Sequence, residues 1–235
     1  MTTMPAPVTP AVGRVALVGA GPGSADLITV RGARRLAEAE LVLYDALASL
    51  ELRQLAPGAR WFYVGKRACR QSIQQEVLNR LLIKYARRGL RVVRLKCGDP
   101  YVFGRGGEEA LALARAGVPF EVIPGVSTAV AAPALAGIPV THRGLASSYA
   151  VITGHHEATF GPLLDGFVPG SLTLVVLIPQ IANFVLSFTA WKGVGSSIRS
   201  RAAKPGVNWP LALSKNSTSG SLSSNLRLGL KCAPG

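Results

Sequence analysis

The chain has 235 residues, 49% of them hydrophobic, enough for one large or two small domains with a sizeable core. That composition argues against global disorder, and no apolar run approaches the ~18 residues of a membrane-spanning helix. A formal net charge of +14 at pH 7 calls for an acidic partner: nucleic acid, an anionic surface or a polycarboxylate ligand.

Residues 1–13 carry no basic segment followed by an apolar one, so a floppy leader is expected and not a signal peptide. VALVGAG (15–21) predicts a buried strand ending in a glycine turn, and TVRGARRLAEAE (29–40) has helical spacing. LVLYD (41–45) and WFYVG (61–65) predict the next two strands. In SIQQEVLNRLLIKYARRG, Ser72 and Gln75 form a candidate capping box, and Ile73, Val77, Leu81 and Tyr85 share one helix face. Gly89 stops that helix, and LRVVRL follows as a fourth strand. GGEEALALARAG (106–117) is helical and FEVIPG is strand and turn. Ser127 to Ala136 is helical again, while YAVITG (149–154) and TLVVLI (173–178) read as strands. Alternating units with continuously apolar strands predict an α/β fold with a mainly parallel sheet covered on both faces.

Sheets of this kind bind ligands beyond the carboxyl ends of their strands, where the strand order reverses. Those ends carry Gly19-Ala20-Gly21-Pro22-Gly23, Asp45, Gly65-Lys66-Arg67, Cys97-Gly98-Asp99-Pro100 and Pro124-Gly125-Val126-Ser127-Thr128. Each turn alone is weak, and their convergence is the argument for a site. GAGPG is not a dinucleotide fingerprint, although Asp45 follows about 20 residues on. Ser24 takes the final glycine position, and Pro22 lacks the backbone donor a pyrophosphate needs. It is either a plain strand-to-helix turn or a close-approach loop for a nucleoside without phosphate. In RLKCGDPYVFGRGGEE (94–109), Gly98, Gly104, Gly106 and Gly107 exceed what a turn requires. Backbone there is expected to approach a ligand, with Asp99 holding a ribose or an amino group. Arg67, Arg105 and Arg143 adjoin glycine turns, each as a carboxylate partner or a solvated charge. His142, His155 and His156 lack the spacing of a metal site, and no Ser-His-Asp set is visible, so no metal is expected. Cys69, Cys97 and Cys232 show no CxxC spacing, which fits a reduced, cytoplasmic setting.

GAGPGSADLIT, LVLYDALAS, VGKRA, RLKCGDPYVFGRGGEE, PGVSTAVAAPALAGIPVTHRG and VITGHH stand in the order seen in uroporphyrinogen-III C-methyltransferases. Residues 14–178, roughly 70% of the chain, resemble that group of the tetrapyrrole methylase superfamily. The resemblance implies a two-domain α/β homodimer that binds S-adenosyl-L-methionine between its domains. It also implies methylation of uroporphyrinogen III at ring carbons to give precorrin-2, on the route to siroheme and cobalamin. Neither a nucleic acid nor a membrane is implied as partner. VGKRA and THRG favour this activity over the precorrin and ribosomal RNA methyltransferases of the same superfamily.

By position, the resemblance implies cofactor contacts from Pro22, Cys97, Gly98, Asp99, Val102, Ser127, Thr128 and Ile178. It makes Asp45 the proton acceptor and Lys66 the proton donor. Ile178 stands where the family commonly has methionine. Cys97 stands where the family has the first glycine of Gly-Gly-Asp, and its Cβ is tolerated at negative φ but costly at positive φ. Methyl transfer from a sulfonium to carbon demands alignment above all. A carboxylate such as Asp45, with no charged partner beside it in sequence, suits removal of the macrocycle proton. A polycarboxylate substrate also accounts for the positive charge. A nucleic-acid binder driven by the basic C-terminal stretch would want interleaved aromatics, which are lacking.

The charge is unevenly placed. All twelve acids lie between Asp26 and Asp165, whereas residues 166–235 carry seven Lys or Arg and no acid. QIANFVLSF is expected to be the family's next helix, and beyond it the family's final strands are not recognisable. A shifted reading frame or genuine divergence would each produce the change. The expected organisation is a leader (1–13), an N-terminal αβ domain (14–125), an incomplete second αβ domain (126–192) and a poorly ordered basic tail (193–235).

Overall fold

The computed structural model describes residues 12–45, 48–65, 74–144, 146–153, 172–178 and 184–189. It divides into two units, the first ending at Thr128 and the second beginning at Ala129.

The first unit is built on five parallel strands: β1 (Val15–Gly19), β2 (Leu41–Tyr44), β3 (Arg60–Tyr63), β4 (Val92–Lys96) and β5 (Phe120–Ile123). Their order across the sheet is β3-β2-β4-β1-β5. The steps β1 to β2 to β3 run one way along the sheet, and β3 to β4 to β5 run back the other way. Right-handed crossovers therefore put the first connections on one face and the later ones on the opposite face. On one side α1 (Val30–Ala37) and a 3₁₀ helix (Leu50–Leu55) supply Leu36 and Leu52 against Ala16, Val18, Val42 and Leu95. On the other, α2 (Gln75–Arg87) and α3 (Gly106–Arg115) supply Leu78, Leu82 and Leu113 against Val15, Leu17, Leu43 and Val92. Successive residues of one strand serve opposite faces, so the strands read as continuously apolar.

Two expectations for α2 need correction. Gln74, not Ser72, is its N-cap, and no side-chain capping bond forms; Ser72 and Ile73 lie outside the described residues. The buried row is Leu78, Leu82 and Ala86, with Leu81 and Tyr85 half-buried beside it. The stripe facing a sheet is wide enough to hold two adjacent i, i+4 rows, and the deeper one lies one residue beyond that expected. At α1, Thr29 is the N-cap, its Oγ1 accepting from the Gly32 N–H at 3.2 Å.

The second unit contains most of α4 (Thr128–Leu135) and a sheet of β6 (Ser148–Thr153), β7 (Leu172–Ile178) and β8 (Phe184–Thr189) in that order. Ala129 and Ala132 pack on Val175, with Val151 and Leu177 alongside. β6 and β7 are parallel; β7 and β8 are antiparallel, from Thr173 opposite Thr189 to Ile178 opposite Phe184. QIANFVLSF is therefore not a helix where it is described. FVLSFT is aromatic and β-branched at most positions, which suits a pleated strand better than a helix. The leader through residue 11 and the basic stretch from 190 lie outside the described residues. No described helix is long and apolar enough to cross a membrane.

Candidate active site

β1 and β4 are neighbours, and their outgoing connections leave toward opposite faces of the sheet. This is the reversal of strand order, the place where open α/β sheets bind ligands beyond their carboxyl ends. There the two loops are stitched together. The Gly21 N–H donates to the Gly98 carbonyl at 3.3 Å, and the Gly98 N–H donates to the Gly21 carbonyl at 2.7 Å. The turn after β5 closes on the same point: a Cβ on Gly19 would lie 2.5 Å from Gly125 Cα and 2.6 Å from the Gly98 oxygen. Backbone meets backbone, and glycine alone permits that approach. Gly21 (φ +79°) and Gly98 (φ +63°) also occupy the left-handed region.

Asp99 locks this arrangement. Its Oδ2 accepts the Gly125 N–H at 3.1 Å and its Oδ1 accepts the Tyr101 N–H at 2.8 Å. The carboxylate expected to hold a ligand group is thus first committed to bracing loop against loop. Gly98 faces the start of α4, where a Cβ would stand 3.6 Å from both the Thr128 nitrogen and Oγ1 and 3.8 Å from Ser127 Cα. Gly98, Asp99, Ser127 and Thr128 are therefore brought together, and Pro22 follows the bridged Gly21. Val102 lies farther along the loop, its N–H bonded to the Asp99 carbonyl at 3.3 Å and its side chain exposed.

Cys97 escapes the cost of a left-handed backbone. Positive φ in this loop falls on Gly98, Phe103 (+52°) and Arg105 (+56°). The thiol reaches toward the Gly21 carbonyl at 3.7 Å. Burial, and then the nearby Asp45 carboxylate, push it up to about 11, so it is protonated at neutral pH. Arg105 forms a two-pronged pair with Glu108, both contacts at 2.7 Å, on the exposed surface.

Asp45, just past β2, has the charged partner that its sequence neighbours lack. Arg94 of β4 approaches Asp45 Oδ2 through Nη2 at 3.4 Å. The same guanidinium donates through Nε to Glu109 Oε1 at 3.2 Å and through Nη1 to the Leu95 and Leu43 carbonyls at 2.9 and 3.3 Å. Lys96 Nζ reaches Glu109 Oε1 at 3.0 Å, and Gln75 Nε2 reaches it at 3.3 Å. Glu109 is fully buried and Arg94 and Lys96 nearly so. Burial, then the neighbouring Arg94, holds the Lys96 ammonium below the ordinary lysine range.

Sequence reasoning missed Arg94, Lys96 and Glu109 as a unit. The available signal was VVRLK itself: two cations on alternate residues of a strand whose faces are both covered by helices. Lys66, Arg67, His155 and His156 lie outside the described residues. Ile178 ends β7 in the second unit. Arg143 is exposed, with its carbonyl 2.8 Å from His142 Nδ1. Among the described residues no group of His, Cys, Asp and Glu could hold a metal ion.

A parallel α/β sheet with glycine loops bridged at its switch point defines a protein of the open α/β class, which binds small ligands at that place. The chain belongs to the tetrapyrrole (corrin/porphyrin) methylases, whose family model matches residues 14–188, ten residues beyond the resemblance read from the motifs. It is 54% identical over 144 residues to a uroporphyrinogen-III C-methyltransferase of Methanocaldococcus jannaschii, covering 61% of this chain and 60% of that protein. It is 47% identical over 168 residues to the Bacillus subtilis protein of the same name, covering 70% of this chain and 65% of that protein. The chain thus spans less than two thirds of the length of either relative. The crystal structure of uroporphyrin-III C-methyltransferase from Thermus thermophilus complexed with S-adenyl homocysteine superposes with a TM-score of 0.58. Identity there is 50%, over 70% of this chain and 69% of that one.

Proposed function

We propose that this chain transfers methyl groups from S-adenosyl-L-methionine to ring carbons of uroporphyrinogen III, giving precorrin-2 for siroheme or cobalamin. The observation that carries the reading is the cradle of Gly21, Gly98 and Gly125, which lie in the stretches that carry the resemblance to the family. In this reading the closely packed glycines fix the three loops, and a nucleoside lies against the amides and carbonyls that those loops leave outward. The donor supplies an electrophilic methyl on a sulfonium, and the protein's part is alignment and proton removal.

In this reading Pro22, Cys97, Gly98, Asp99, Val102, Ser127 and Thr128 hold the cofactor. Asp99 does so indirectly, by fixing the Gly98 and Gly125 backbones. Ile178 and Lys66 enter by their matching positions alone, as cofactor contact and proton donor. Asp45 accepts the proton that must leave the macrocycle to restore conjugation. The half-buried place of Asp45 beside a guanidinium suits a carboxylate held in one orientation. The protein works as a cytoplasmic homodimer, and its basic surface receives the substrate's carboxylates.

Calorimetric titration with S-adenosyl-homocysteine, followed by single-turnover assays with uroporphyrinogen III, tests this. Saturable binding and formation of the methylated chromophore are expected. Absence of cofactor binding would overturn the proposal, and binding without any transfer would confine it to the cofactor.

A further inference from the structure

We propose that Arg94 is the positioning residue for Asp45, and that the buried Arg94–Glu109–Lys96 cluster exists to hold that guanidinium in place. The inference rests on the reading of Asp45 as the proton acceptor, and it follows from charge and register.

β4 carries Val92, Arg94 and Lys96 on the face covered by α2 and α3, and Val93 and Leu95 on the other. In β2, Leu41 and Leu43 belong to the same α2/α3 face, so Asp45 continues that row past the end of the strand. Leu43 is opposite Arg94 in the pairing of β2 with β4, which makes Asp45 a diagonal neighbour of Arg94. Two cations are buried here, and Glu109 supplies one matching anion from α3. Asp45 is the second anion, at the rim of the cluster and a quarter exposed.

Such a cluster is poor value as a stabiliser. Buried ion pairs are frequently no better than apolar residues of the same volume, because desolvation offsets the attraction. The surrounding positions are Val, Leu and Ala, so the fold has the apolar alternative at hand. What the charges provide is direction. Nη1 is anchored on the Leu43 and Leu95 carbonyls and Nε on Glu109, while Lys96 and Gln75 fix Glu109 in turn. Nη2 is thereby aimed across the strand ends at Asp45 Oδ2. A guanidinium held by two carbonyls and a carboxylate has little rotational freedom left, and the carboxylate it touches inherits that order.

The test is a double-mutant cycle of Asp45→Asn, Arg94→Met and the pair. Arg94→Met leaves the buried Lys96–Glu109 pair balanced, so the protein is expected to fold. Its turnover should fall about tenfold or more, as for a group displaced by a fraction of an ångström, with S-adenosyl-homocysteine affinity changed less than about twofold. Arg94→Lys should recover part of the loss. The double variant should be no slower than Asp45→Asn alone, because Arg94 acts only through Asp45. Multiplicative losses, or loss of cofactor affinity in step with turnover, would overturn the inference. If Asp45→Asn leaves turnover untouched, it is the reading of Asp45 as base that fails. Urea unfolding of the same four proteins reads the contact without cofactor or substrate. Non-additive midpoints are expected there, and additivity would equally sink the proposal.

Discussion

Gly125→Ala puts the closure of the three loops under the most direct test. A Cβ at this position would fall onto the Gly98 carbonyl oxygen and stand 2.7 Å from Gly19 Cα and 2.9 Å from its carbonyl carbon. All three atoms are backbone, so no side chain can swing aside. Relief requires moving the β5 turn off the ends of β1 and β4. Overpacking a filled site costs about 1–3 kcal/mol, and this one has no soft neighbour, which places it at the top of that range. Moving the turn also stretches the bond from the Gly125 N–H to Asp99 Oδ2, adding about 1 kcal/mol. A loss of about 4 kcal/mol lowers the melting temperature of a unit of this size by roughly 16–30 °C. S-adenosyl-homocysteine affinity should fall with it, since the displaced backbone is the proposed cradle. Gly107→Ala is the control: a Cβ there meets nothing within 4 Å, and alanine inside α3 should gain about 0.5–1 kcal/mol. Thermal unfolding, with hydrogen exchange at β1 and β5, measures both variants. A Gly125→Ala protein that melts within about 3 °C of the wild type and binds cofactor normally would refute the close approach.

Asp45→Asn should lower turnover about 100-fold or more while cofactor affinity holds, measured by single-turnover assay and calorimetry; a parallel loss of affinity would make Asp45 a binding group. Cys97 should resist alkylation: with its midpoint raised from 9.0 to about 11, thiolate at pH 8 is about 100-fold scarcer than in an ordinary cysteine, which peptide mapping after timed iodoacetamide treatment would read. Because the folded thiol holds its proton to higher pH than the unfolded one, its contribution is complete below pH 9.0 and lost as pH rises through about 11. Cys97→Ala should flatten stability over that window in urea titrations. Glu109→Gln removes the anion shared by two buried cations and should cost about 3–5 kcal/mol in urea unfolding; an unchanged midpoint would mean that Arg94 and Lys96 do not depend on it.

Much of the first unit was legible because its signals are local. Buried parallel strands are short apolar runs, and Gly89 and Gly117 end their helices with the positive φ that glycine allows. Where the reading failed, a non-local term decided. The buried row of α2 is set by how the helix lies across the sheet and beside α3, and periodicity leaves that open by a residue. FVLSFT becomes β8 because an antiparallel neighbour, β7, offers its edge, a fact that no window of residues 180–188 contains.

The site divides along the same line. Glycines where backbone must touch backbone mark themselves, since three separate turns spend glycine at positions where no side chain fits. Asp99 was expected from its loop to hold a ligand group, and its part as a brace was not legible, because its acceptor bonds go to Tyr101 and, 26 residues away, to Gly125. The charged cluster is the hardest case. Arg94, Lys96 and Glu109 lie in one quoted motif, yet their meaning depends on β4 being covered on both faces and on β2 being its neighbour. A motif with two cations on alternate strand residues and two acids at the following helix start carries its own counter-charge only in part. Glu108 goes outward to Arg105, which leaves Glu109 to neutralise one buried cation and the end of β2 to face the other. That shortfall is why a carboxylate at position 45 and a guanidinium at position 94 must be understood together. A chemical role for Asp45 is inseparable from the strand beside it.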